Sequence, residues 1–230
     1  MPLMTRPPKD RQQRWNDWLE IINQDITTAF YWRATWLAFG EILRSNPSIP
    51  PSHFFRLMSN TYGTSQAVAV RRLADPTRGV VSLATLIKDL RKHAGEITQE
   101  WWLGLQPNSE ARDFEPFRLK STNHFDPTTA AKDLDGLEIA VAQVKKYVDQ
   151  HLAHRDQNPT RDIPNFDAIH AALDSLGEMF RKYHSVLTGA DRIVMVPVPR
   201  PGWFLPFTVP WLPPGAKAPE IGGTIRSLSR

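Results

Sequence analysis

Residues 126–156 read DPTTAAKDLDGLEIAVAQVKKYVDQHLAHRD, and their spacing sets the class of fold. Leu134, Leu137, Val141, Val144, Val148 and Leu152 step by three, four, three, four and four, which lays one apolar stripe along an α-helix. Asp126 before Pro127 marks the start: an aspartate can cap the first turn, and proline at the first helical position gives up an N–H that has no partner there anyway. The far end is different in kind. From Lys145 to Asp156 the sequence gathers polar and titratable groups where the helix stops. Helical spacing puts Lys146, Gln150 and His154 in one row, with Lys146 two turns, about 12 Å, from His154 along the axis. Tyr147 and His151 broaden that face, while Val148 and Leu152 turn toward the core, so His154 need not be buried.

Working outward, the prolines cluster at 2–8, 47–51, 107–127, 159–164 and 197–219, and the stretches between them read as helices. Residues 11–44 form one long helix with a wide apolar face, stopped by Asn46-Pro47. A second helix starts near Ser52, kinks or breaks around Tyr62-Gly63-Thr64-Ser65 and continues to Leu73 before Asp75-Pro76. Ser82 caps a third, whose stripe from Leu83 through Ile97 and Trp101 runs to Leu105, with Trp101-Trp102 as packing residues. Residues 106–128 lose all period and read as a long surface loop. Past the central helix, Asn165 or Asp167 caps a fifth that closes at Leu187-Thr188-Gly189, where glycine suits the position after the helix. The expectation is an all-α bundle of about five helices over 10–189, with residues 1–9 and 215–230 disordered. Residues 190–214 form a Pro- and aromatic-rich tail, with a short edge strand at Ile193–Val196. Trp203, Phe204, Phe207 and Trp211 are expected to pack on the bundle, because they would otherwise expose a large apolar patch.

Composition removes whole classes of function. With no cysteine among 230 residues, disulfide scaffolds, cysteine-ligated metals and thiol catalysis are excluded. No glycine-rich loop follows a strand, which excludes a P-loop or a dinucleotide fold. No run approaches the roughly 18 apolar residues that span a bilayer, and MPLMTRPPKDRQQRW lacks the apolar core of a signal peptide, so no membrane partner and a cytoplasmic location are expected. His151, His154 and Asp156 offer two histidines three apart with no third ligand held in place, so neither metal nor cofactor is expected. The net charge of +4 favours an anionic partner.

The stretch YVDQHLAHRD at 147–156 resembles the signature helix end of HEPN domains, all-α proteins of prokaryotic defence and toxin systems, many of them metal-independent ribonucleases. Three further segments agree: AVAVRRLAD at 67–75 followed by VSLATLI at 81–87; FRKYHSVLTG at 180–189; and Gly202-Trp203 with FTVPW at 207–211. They occur in the order found in the branch related to abortive-infection U-type (AbiU-like) proteins, and the likeness covers about residues 10–212. In catalytic HEPN domains an Arg is followed by a polar residue and, four to six residues after the Arg, by a His. His154 matches the His and Asp149 the polar residue, whereas the Arg position holds Val148.

The resemblance implies RNA cleavage by attack of the 2′-hydroxyl on the adjacent phosphorus, with His154 and Asp149 as the catalytic residues. His154 would move the proton, and a cation would stabilise charge on the phosphoryl oxygens. Arg155, Lys146, Lys145 and His151 are the candidate RNA-binding residues. It also implies a homodimer with His154 near the two-fold axis, a Lys from the second copy being another source of cation, and an operon-encoded partner protein. Val148 keeps a second reading open, a degenerate module that binds RNA or a protein without cutting. A helical interaction protein with no nucleic-acid role is the third.

Overall fold

The computed structural model describes residues 7–50, 52–105, 110–154, 156–190, 202–210 and 215. Among them are seven α-helices and no strand: α1 (Lys9–Arg44), α2 (His53–Leu73), α3 (Leu83–Lys92), α4 (Gln99–Leu103), α5 (Ala111–Phe114), α6 (Pro127–Tyr147) and α7 (Phe166–Thr188). α6 and α7 pack side by side at the centre, with α3 against α6 and α1 and α2 against α7. Of the termini expected to be disordered, 1–9 and 215–230, residues 1–6 and 216–230 lie outside the described residues, as do the strand at Ile193–Val196 and Trp211, while Lys9 already opens α1.

The local signals place the helix ends. Ser52 accepts from the Phe55 amide, Asp126 from the Thr128 amide and Asn165 from the Ala168 amide, each satisfying an otherwise unpaired N–H of a first turn. Ser82 and Thr85 exchange side-chain and backbone hydrogen bonds in a capping box. Gly189 closes α7 with φ 66°, the left-handed conformation that glycine adopts at least cost.

Three expectations are corrected. α2 runs unbroken through Tyr62–Ser65, because Gly63 serves contact and not a bend: a Cβ there would come within 3.0 Å of Phe166 Cε1. The stripe from Leu83 to Leu105 is not one helix. It divides into α3, a 3₁₀ turn at Ala94–Glu96 and α4, whose own cap is Thr98 accepting from the Trp101 amide. The division lets Trp102 lie buried with its indole N–H donating to the Ser185 carbonyl of α7 at 3.2 Å. Residues 110–126 are not a surface loop either. α5, a 3₁₀ turn at Glu115–Phe117 and hydrogen bonds from Phe125 to Ile97 and from Gln99 to Asn123 fold this segment so that Phe114, Phe117 and Phe125 join the core. Three aromatics placed without period gave no helical or strand signal, yet their burial is what holds the segment down.

Polar ties cross the bundle. The Trp15 indole N–H donates to Asp89 at 2.7 Å, joined by Arg14 at 2.8 Å. Together with these donors, the nearby His93 holds the Asp89 carboxyl below its ordinary range although burial works the other way. Tyr183 and Lys182 both meet Asp133, at 2.8 and 2.6 Å. Tyr62 and His170 share a hydrogen bond at 2.7 Å beside Arg33, which pairs with Asp174. Burial lowers the His170 pKa and the Arg33 charge lowers it further, against Asp167 and Asp174. Residues 198–230 form a separate unit; within it Trp203 meets Phe204 and Phe207 edge-on.

Candidate functional site

α6 stops being an α-helix at Tyr147 and continues as a π-helical turn over Val148–Ala153, after which His154 takes an extended backbone. A π turn bonds each residue to the fifth one along, is rare, and is frequent at functional sites. The wider turn and the extended backbone of His154 break the row expected for Lys146, Gln150 and His154. The loop that follows is fastened to it. The Gln150 side chain accepts from the Thr160 amide at 2.8 Å, its carbonyl from the Asp156 amide at 3.1 Å, and His151 Nε2 donates to the Thr160 carbonyl at 2.8 Å.

The candidate residues therefore separate. His151 is half-buried, its ring tilted against that of Tyr147 and committed to Thr160, so its job here is to hold the return loop. Lys145 is nearly buried and places its ammonium on both oxygens of Glu138 at 2.7 Å, two turns back along α6. Lys146 and His154 are exposed, and neither has a side-chain partner among the described residues. Arg155 lies outside the described residues. Val148 is 4% exposed and belongs to the core, so the apolar side chain at the expected Arg position is a packing residue.

Asp149 has a partner that the sequence reading did not find. Arg71, in the last turn of α2, places Nε 2.8 Å from Asp149 Oδ1, and its Nη1 meets Asp75 Oδ2 at 2.8 Å. The hydrogen bond to Asp149 is the main reason the guanidinium is held more firmly protonated than usual, with Asp75 adding to it against burial. Burial raises the Asp75 carboxyl, but the hydroxyl and amide of Thr77 together with Arg71 bring it below its ordinary value. A cation thus stands beside the motif, contributed by a helix 78 residues away in sequence. The only trace of it in the sequence is the i,i+4 pair Arg71 and Asp75 inside AVAVRRLAD.

Among the described residues no group of three His, Asp or Glu side chains could hold a metal ion. A groove of about 380 Å³ between α1 and the end of α7 is lined by Gln12, Asn16 and His184. Another, of about 330 Å³, lies between α6 and α7 along Gly136 and Lys182. Neither includes a candidate residue. No described helix is long and apolar enough to cross a membrane.

An all-helical bundle whose penultimate long helix ends in an exposed histidine, with a polar residue shortly before it, is the arrangement expected of a HEPN domain. The HEPN AbiU2 family model, described as AbiU2, matches residues 15–199, and the chain belongs to that family of HEPN-type abortive-infection proteins. No curated protein and no solved structure matches the chain.

Proposed function

We propose that this protein acts in a prokaryotic defence or toxin-type system as a metal-independent endoribonuclease that uses His154. The observation that carries the reading is the state of His154. Of the two histidines at this helix end, His151 is fixed to the loop, while His154 is exposed beyond a π turn and uncommitted among the described residues. An imidazole near neutral pKa can take the proton of a 2′-hydroxyl and return one to the leaving oxygen, provided RNA can approach it. Lys146 is exposed on the same arm and can meet backbone phosphates; Lys145 is spent on Glu138 and is not part of the proposal. A homodimer that brings two His154 ends together belongs to the reading, since a second copy would supply further cations.

One observation favours the non-cleaving module: Val148 is buried where an Arg would have to reach outward. Expression of the wild type and of His154→Ala in bacteria, with growth and total RNA integrity followed on the same cultures, separates the two. Arrest with RNA fragmentation that needs His154 supports cleavage. If neither protein fragments RNA, and the purified chain binds RNA without shortening it, the non-cleaving module replaces it.

A further inference from the structure

Resting on that reading, we propose that Arg71 supplies, from α2, the phosphate-binding cation that Val148 cannot, and that the Asp149 carboxylate occupies on Arg71 the position an RNA phosphate takes when it binds. The two carboxylates on Arg71 are not equivalent. Asp75 is the anchor: its side chain is 20% exposed, it sits four residues on in the same helix end, and it also accepts from the Thr77 amide at 2.9 Å. Asp149 is the exchangeable partner, with a side chain 48% exposed on the far side of the Nε bond. A guanidinium carries five N–H donors in a planar fork and holds carboxylate and phosphate oxygens in the same geometry. With Asp75 keeping Nη1 in place, the Nε edge facing the π turn is covered by a half-exposed carboxylate that a phosphate of a polyanionic RNA strand can displace. That edge borders the first residues of the π turn Val148–Ala153, and His154 follows directly after its end on an extended backbone. The phosphate would therefore lie between a cation fixed by α2 and the proton-transfer group at the end of α6.

The test uses full-length protein in a His154→Ala background, so that RNA is bound and not cut. Affinity for a mixed-sequence single-stranded RNA oligonucleotide is measured against salt concentration. Adding Arg71→Gln should weaken binding about tenfold, and removing one phosphate contact should lower the salt slope by about 0.7. Adding Asp149→Asn, which cuts the same bridge from the other side and removes a negative charge, should tighten binding. If the bridge matters only for folding, both substitutions weaken binding alike and the slope stays the same, which overturns the proposal; Arg71→Lys, which keeps the charge, covers the case of Arg71→Gln failing to fold. Cleavage of total RNA by the wild type is scored separately, so a protein that binds through Arg71 but never cuts refutes the ribonuclease reading and leaves the phosphate contact standing.

Discussion

Alanine in place of glycine should have opposite effects on the two long helices at the centre of the bundle. Gly136 lies exposed on α6 with no heavy atom within 4 Å of where a Cβ would stand. There the substitution gains only the helix propensity of alanine over glycine, about 1 kcal/mol, or about 2–4 °C in melting temperature for a chain of this length. Gly177 lies on the buried face of α7, where a Cβ would stand 2.7 Å from Phe30 Cζ and 3.1 Å from Cε2. The ring has little room to yield. It is 6% exposed, and Arg33, itself paired with Asp174, lies 4.5 Å from its centroid. Overpacking of this kind costs about 1–3 kcal/mol, which cancels or exceeds the same propensity gain. Gly177→Ala should therefore melt below Gly136→Ala by about 4–8 °C, taking the middle of that range. Thermal unfolding followed by circular dichroism measures both, and Phe30→Leu in the Gly177→Ala protein should recover part of the loss. A Gly177→Ala protein that melts as high as Gly136→Ala would show that α1 and α7 do not approach through this glycine.

Other expectations are open to the same melts. Ser82→Ala removes the cap of α3 and one half of the capping box with Thr85, and should cost about 1–2 kcal/mol. Tyr183→Phe takes a buried hydroxyl from Asp133 while Lys182 stays, a loss of about 1.5 kcal/mol; no change in melting would mean that the hydrogen bond adds nothing to the ion pair. His170 has a folded pKa below its ordinary 6.5, through burial and Arg33, so the unfolded chain binds the extra proton first. Stability should hold above pH 6.5 and fall as the pH drops from there toward the folded pKa, and His170→Gln should remove that part of the slope. An unaltered slope in the variant would assign it elsewhere. His154→Ala should leave the melting temperature within about 2 °C of wild type, because surface substitutions away from caps and packing change stability by under about 0.5 kcal/mol.

The site was readable in part. His154 and Asp149 are the candidates that the ten residues 147–156 single out through the resemblance; that His154 stands exposed on extended backbone after a π turn is not given by the phase of the apolar stripe. The rest depended on contacts that spacing does not encode. Lys145 belongs to the polar helix end by position, yet its partner is Glu138, so the same residue that looks available for RNA is occupied. His151 looks equivalent to His154 until Thr160, brought back by the proline-rich loop, takes its ring nitrogen.

The sequence by itself determined α1, α2, α6 and α7 and the start of α3, because a cap is a bargain struck within four residues. Ser52, Ser82, Asp126-Pro127, Asn165 and Gly189 each satisfy or relieve a backbone group of the neighbouring turn, and no distant residue has to agree. It also determined the family, through short ordered segments. Only the tertiary structure decided that α2 passes straight through Gly63, that Phe114, Phe117 and Phe125 turn an aperiodic stretch into core, and that Arg71 meets Asp149. Each of these is an interaction between residues tens of positions apart. Its free energy exists only once the helices are packed, and it therefore leaves no period, cap or composition bias in the chain.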